Sequence, residues 1–260
     1  MPGNSDLTAL YSTGYFEGSK PGEPEMEDPQ AQTWVLDNLP KELDNLPKEQ
    51  RGLFVDLGCG DGRLLRLVAD TGYEVLGLDV DKTSVTTARL ASGCPVITLD
   101  ELPSFSGQAS VVHLGDVLEH VADPAEVIRG AITLLGPGGL LLAQGPLEAN
   151  RSPFNFILAL VALLRRSVPV SDPPYHVHLV SPRGQEWFFQ RLGFETIEYR
   201  LSDISWPAPA AFKPSLLTNP RRLALYVCRR LSSAVRPLAP RLLSNRFRYV
   251  GRYVASDRKP

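Results

Sequence analysis

The run Val55-Asp56-Leu57-Gly58-Cys59-Gly60-Asp61-Gly62 constrains this chain more than any other. An apolar stretch, Leu53 to Leu57, leads into it, and apolar residues at helical spacing, Arg63 to Asp70, lead out. Three glycines in five positions admit positive φ and bring the backbone close to whatever binds there. A strand turning through such a loop into a helix opens a βαβ unit. The crevice beyond the carboxyl ends of such strands is where ligands bind.

The alternation continues. Glu74 to Leu78 predicts a second strand ending at Asp79, Thr83 to Ala91 a helix, Pro95 to Leu99 a third strand and Ala109 to Leu114 a fourth. Pro124 to Leu135 predicts a helix with Asp123 as its N-cap and proline in the first turn. Gly136-Pro137-Gly138-Gly139 reads as a turn before a fifth strand, Leu140 to Gln144. Strands this uniformly apolar are expected where helices cover both faces of a parallel sheet. Beyond Pro146, Ser152 to Arg166 predicts an apolar helix and residues 167–175 a proline-bearing loop. Ser181-Pro182 opens a helix to Leu192 that Gly193 closes, and Phe194 to Arg200 is a strand. Residues 201–246 hold many prolines and a basic amphipathic helix over Arg221 to Val235, ahead of a final strand, Arg246 to Ala255.

At 260 residues the chain suits one large domain or two small ones. We place an acidic cap or linker at 1–50 and the main domain at 51–260, with lid insertions near 147–181 and 201–246. Within the cap, Asp37-Asn38-Leu39-Pro40-Lys41-Glu42 recurs at once as Asp44 to Glu49, and Met26 to Leu39 is a candidate helix. Two copies make a local duplication, not a solenoid. Hydrophobic residues at 43% and charged residues at 22% exclude wholesale disorder, collagen and coiled coil. Cys59, Cys94 and Cys228 are odd in number with no CxxC pair, which argues against a disulfide framework or structural zinc and for a reducing cytosol. The N-terminus is polar, and the longest apolar run, Phe154 to Leu164, is too short to span a bilayer, so a cytoplasmic protein is expected.

Charge is uneven. Residues 1–50 carry ten acids against three bases, and residues 221–260 eleven bases against one acid. The tail therefore suits contact with the acidic head or with an anionic partner. Its arginines carry no interleaved aromatic platform, which counts against nucleic acid. The basic segment 221–248, with Arg165-Arg166, reads as a solvated helix face, the alternative being contact with an anionic membrane surface.

The glycine loop lacks the third glycine of G-x-G-x-x-G, since Arg63 stands there, and no G-x-x-x-x-G-K-[ST] run exists. An acid at the strand end, Asp56, repels phosphate and suits a cationic ligand. Asp79, with Val80 beside it, ends the second strand 19 residues after Gly60, where a carboxylate accepts hydrogen bonds from ribose hydroxyls. Asp100-Glu101-Leu102 follows the third strand and places an acid and an apolar residue where an adenine edge can be held. Gly115 and Asp116 follow the fourth strand and face the same crevice, while Glu119 and His120 tie that loop to its neighbours. His113 lies inside the fourth strand and reads as a satisfied core residue. His176 and His178 sit two apart and share one face in extended chain; either is a candidate general base, the alternative being a structural pair. No metal site is expected.

VDLGCGDG, Asp79, LDELP, VLEHVADP and LLGPGGLLL together resemble the class I S-adenosylmethionine-dependent methyltransferases. VLEH with the later His-x-His and Gly193-Phe194 is similar to the branch that includes ubiquinone-biosynthesis O-methyltransferases. The resemblance covers about residues 50–200 and, loosely, the last strand. It implies an α/β Rossmann-like sheet of seven mostly parallel strands, the last antiparallel, with helices on both faces and helical lid insertions. It also implies S-adenosyl-L-methionine as cofactor: Asp56, Gly58, Cys59, Gly60 and Gly62 at its methionine part, Asp79 and Val80 at the ribose, Asp100 to Leu102 at adenine, and Gly115 and Asp116 at the sulfonium. A small, partly apolar acceptor methylated at oxygen is the expected substrate. The rivals are a non-catalytic binding or scaffolding protein of the same fold and a nicotinamide-dependent oxidoreductase.

Overall fold

In the computed structural model, the described residues are 51–80, 82–153, 156, 177–202, 212, 214, 217–218 and 220–254. The acidic segment 1–50 with its duplication and candidate helix, most of the apolar helix 152–166, the loop 167–175 with His176 after it, residues 203–211 and Ala255 lie outside them.

The elements are β1 (Leu53–Leu57), α1 (Arg63–Asp70), β2 (Glu74–Leu78), α2 (Lys82–Ser92), β3 (Val96–Ile97), a 3-10 helix (Leu99–Phe105), β4 (Ala109–Gly115), α3 (Pro124–Leu134), β5 (Leu135–Pro146), α4 (Pro182–Arg191), β6 (Phe194–Ser202), α5 (Pro220–Val235), a 3-10 turn (Arg236–Leu238), α6 (Pro240–Leu243) and β7 (Arg246–Tyr253). The strands form one seven-stranded sheet in the order β3-β2-β1-β4-β5-β7-β6. Strand β7 runs antiparallel to both its neighbours, and all other pairings are parallel. This is the seven-stranded Rossmann-like sheet that the sequence leads one to expect.

Two apolar layers sandwich the sheet. Phe54, Val75, Val111 and Val250 pack with Leu65 and Val68 of α1 and Val85 and Ala88 of α2. On the other face Val55, Leu76, Val112 and Leu141 pack with Ile128, Ala131 and Leu134 of α3 and Phe189 of α4. Phe189 stacks on Tyr249 of β7 with ring centroids 4.2 Å apart. Each such aliphatic or aromatic side chain removed from water contributes about 1.5–3 kcal/mol, so every strand between β2 and β5 is pinned from both sides.

Local chemistry sets the boundaries. Asp123 caps α3, its carboxylate accepting from the N–H groups of Ala125 (2.8 Å) and Glu126 (3.2 Å). Ser181 caps α4 by accepting from Gly184 N–H. Strand β3 is shorter than the sequence predicts and stops at Ile97. Thr98 and Glu101 there form a reciprocal capping box that starts the 3-10 helix, so Asp100 to Leu102 sit on a helix rather than in a turn. The Gly136–Gly139 turn lies within β5: Leu135 pairs with Ala109 and Leu140 with Val111, and the four residues between bulge out.

Candidate active site

The parallel order sets the carboxyl ends of β3, β2, β1 and β4 side by side. Connections change direction between β1 and β4, which opens the crevice at that point. The glycine loop fills its mouth. Gly58, Gly60 and Gly62 have φ of 80°, 55° and 76°. A Cβ at Gly58 would stand 2.6 Å from Val117, and one at Gly62 would stand 2.9 Å from the Ala88 carbonyl. At Gly60 a Cβ would meet nothing within 4 Å. Two of the glycines thus serve packing, and the third leaves open space above the backbone.

Four of the five amides from Gly58 to Gly62, and that of Arg63 at the start of α1, have partners within the protein. Gly58 and Cys59 both donate to the Leu78 carbonyl (2.8 and 3.0 Å), and Gly62 donates to the Cys59 carbonyl at 2.9 Å. Gly60 donates to Asp79 Oδ2 at 3.2 Å and Arg63 to Asp61 Oδ1 at 3.2 Å. A phosphate-binding loop aims such amides at its ligand. Here five of them are satisfied within the protein, two by carboxylates. The loop offers shape and negative charge, which suits an ammonium or sulfonium group.

Asp79 is fixed at the end of β2, its other oxygen accepting from Val80 N–H at 2.8 Å. Asp56 is buried at the end of β1 and accepts from His113 Nδ1 of β4 at 2.7 Å. The carboxylate makes Nδ1 the protonated nitrogen. His113 also stacks on Phe54, with centroids 6.0 Å apart, and its ring occupies the place where a Cβ on Gly115 would stand. The sequence reading of His113 as a satisfied core residue thus gains its partner. Burial, then Asp56 and Asp79, push the Cys59 thiol up, and its side chain packs among the apolar residues under α1 and α2.

On the far side of the crevice Asp116 adopts φ of 54°, unusual for a residue with a side chain. Its N–H donates to the Gln144 carbonyl at 3.0 Å. Its carboxylate receives Arg246 Nη2 of β7 at 2.6 and 2.7 Å. Arg246 carries no local signal in the sequence that would mark it as a site residue. Beside β3, Glu101 accepts from Thr98 N–H at 3.1 Å as half of the capping box. The Thr98 hydroxyl donates to Asp100 and holds that carboxyl below its ordinary range, with its own backbone N–H assisting.

Of the two candidate bases, His178 lies among the described residues. Its backbone and that of Val177 donate to the Glu119 carbonyl (3.4 and 2.8 Å), and its Nε2 donates to the Ala122 carbonyl at 3.3 Å. Glu119 and His120 approach to 3.9 Å. The 119–122 loop thus anchors the segment that bears His178. No cluster of metal-binding side chains occurs among the described residues.

The arrangement has known counterparts. The model of the family described as "Methyltransferase domain" matches residues 30–199, well over half the chain. The chain belongs to this family. Membership implies S-adenosyl-L-methionine as cofactor, and the crevice fits it: open space over Gly60, a presented carboxylate at Asp79 and acids where a cation would lie. A ubiquinone biosynthesis O-methyltransferase of Marinobacter nauticus is 38% identical over 117 residues, covering 41% of this chain and 48% of the relative. One of Bordetella avium is 33% identical over 138 residues, covering 49% and 56%. The chain therefore spans about half the length of the curated relatives it matches. Among solved structures, a SAM-dependent methyltransferase from Archaeoglobus fulgidus aligns with TM-score 0.54 at 14% identity, covering 85% of this chain and 94% of that one. The [4+2]-cyclase SpnF aligns with TM-score 0.56 at 15% identity, covering 98% and 97%. These last two likenesses concern the fold alone.

Proposed function

We propose that this protein transfers a methyl group from S-adenosyl-L-methionine to an oxygen of a small, partly apolar acceptor. One observation carries the reading: Asp79 is held by the N–H groups of Gly60 and Val80 at the mouth of the crevice, beside the open space over Gly60. Asp79 accepts the ribose hydroxyls. The loop from Asp56 to Gly62 holds the methionine part, with Asp56 steadied by His113. Leu102 and its 3-10 helix border the adenine, and Gly115 and Asp116 line the end where the methyl group is presented. The names of the curated relatives support oxygen as the acceptor atom and a quinone-precursor-like ring as its chemical class.

Bound there, the cofactor supplies a methyl group on a positively charged sulfur, already activated for in-line displacement. The protein's contribution is orientation and removal of one proton. His178 donates Nε2–H to Ala122, which leaves Nδ1 with the lone pair that takes the hydroxyl proton. Asp116, pinned by Arg246, keeps negative charge beside the sulfur.

Titration calorimetry with S-adenosylmethionine tests this. Wild type binds, and Asp79→Ala loses at least about tenfold in affinity, because a charged hydrogen bond is worth about 1.5–3 kcal/mol. Unchanged affinity in Asp79→Ala overturns the assignment. His178→Ala lowers turnover of a phenolic acceptor while leaving cofactor affinity intact.

A further inference from the structure

Helix α5 exposes apolar residues to the outside. Cys228 and Ser232, 2% and 1% exposed, form its inner side. Val227 and Leu231 are 45% and 52% exposed, Leu238 in the following turn is 82% exposed and Leu242 of α6 is 57% exposed. Val227 and Leu231 stand four apart, on one side of α5, and Leu238 and Leu242 follow in the turn and in α6. A surface helix of a globular domain turns such residues toward the core; this one turns Cys228 and Ser232 inward and Val227 and Leu231 out.

The same segment is wholly basic. Residues 220–243 contain six arginines and neither an acid nor a lysine. Arg230 is exposed, its guanidinium 5.4 Å from the Tyr226 ring centroid. Two others fasten the segment to the domain: Arg236 donates to the Leu201 carbonyl at 3.2 Å, and Arg241 pairs with Glu186 of α4 at 3.2 Å.

We propose that α5, the turn after it and α6 are a docking face for an anionic lipid bilayer, which they enter lying flat. An exposed apolar face on a segment whose only charged residues are arginines matches that medium on both counts: Leu231, Leu238 and Leu242 reach the acyl boundary and Arg230 meets the headgroups. A second copy of the chain would set arginine against arginine, and an acidic peptide would leave the leucines in water. Helix α5 is about 24 Å long at 1.5 Å per residue, and no described helix is long and apolar enough to cross a membrane. The face also adjoins the crevice. Strand β7 starts at Arg246, three residues after α6 ends at Leu243, and Arg246 holds Asp116. On the methyl-transfer reading, an acceptor dissolved in the bilayer would enter the crevice from that side.

Vesicle co-sedimentation of the full chain tests the proposal. Vesicles of phosphatidylcholine with roughly one-third phosphatidylglycerol should pull the protein down, and vesicles of phosphatidylcholine alone should do so at least about tenfold less well. The double variant Leu231→Glu, Leu238→Glu changes only exposed side chains and should abolish the binding while S-adenosylmethionine affinity stays at the wild-type value. Wild type remaining in the supernatant with anionic vesicles overturns the proposal, as does a double variant that sediments like wild type. Wild type that forms a dimer by analytical ultracentrifugation, with no vesicle binding, assigns the face to a second copy and also overturns it. Calorimetry with the cofactor needs no lipid, so failure of the docking face and failure of the methyltransferase reading are told apart.

Discussion

Replacing His113 by phenylalanine isolates the pair that joins β1 to β4 beneath the crevice. Asp56 and His113 are register partners on adjacent strands, 3% and 8% exposed, with Oδ1 and Nδ1 2.7 Å apart. Phenylalanine preserves the ring stacked on Phe54 and removes the N–H. Asp56 then keeps a buried carboxylate without this donor. Removing one partner of a buried charged pair costs about 3–5 kcal/mol, and an unsatisfied neutral group about 1–3 kcal/mol. Because the carboxyl escapes part of the penalty by taking up a proton, the expected loss is about 3 kcal/mol. In a domain of this size that lowers the melting temperature by about 6–12 °C. Thermal unfolding followed by near-UV circular dichroism measures it, with urea midpoints as a second readout. Adding Asp56→Asn to His113→Phe removes the stranded charge and should restore more than half of the loss. A His113→Phe protein melting within about 2 °C of wild type, or a double variant whose two losses simply add, would refute the claim that this hydrogen bond holds a buried carboxylate in place.

Two further outcomes follow from the same geometry. Gly62→Ala combines φ of 76° with a Cβ 2.9 Å from the Ala88 carbonyl of α2, so it should cost about 2–4 kcal/mol in urea unfolding. Gly60→Ala, with open space at its Cβ, should cost only about 1–2 kcal/mol but weaken S-adenosylmethionine binding; the reverse ranking would contradict the division of labour between the two glycines. Burial, reinforced by Glu186, pushes the Tyr249 phenol up to about 12. The unfolded chain loses that proton near pH 10, so this contribution to stability is complete below pH 10 and is lost as pH rises toward 12. Burial raises Tyr199 in the same direction. Urea midpoints should therefore fall steeply above about pH 10, and less steeply in Tyr249→Phe.

Much of this architecture is written locally. The βα alternation from Leu53 to Leu135 can be read from apolar runs and helical spacing, and the caps Asp123 and Ser181 from their residue types and the prolines that follow. The capping box that shortens β3 has a readable signature as well: Thr98-x-x-Glu101 directly after an apolar run. The position of Asp79 is legible, since it needs only the end of the second strand. Pairing across the fold is not legible. Asp56 meets His113 from 57 residues away, and Asp116 meets Arg246 from 130 residues away. Nothing in the neighbourhood of Arg246 announces a partner, because the contact exists only once β7 inserts between β5 and β6. The outward apolar face of α5 is hidden for a related reason. Periodicity gives an amphipathic helix but not which side faces the domain, and the inner side turns out to hold Cys228 and Ser232.

The failed dinucleotide motif and the observed hydrogen bonds make one electrostatic argument. A glycine loop between a strand and a helix has the same backbone shape whether it serves pyrophosphate or a sulfonium compound. The difference lies in where its N–H groups point and which charges surround it. Here the Leu78 carbonyl takes two of those groups and the carboxylates of Asp61 and Asp79 take two more, while Asp56 lies buried below. A pyrophosphate placed over this loop would displace internal hydrogen bonds and face several negative charges at short range. A cationic amino acid or sulfonium placed there disturbs none of the hydrogen bonds and is attracted by every one of those carboxylates. On the proposed reading, the acids among these amides set the sign of the ligand before any contact with its adenine or sugar is made.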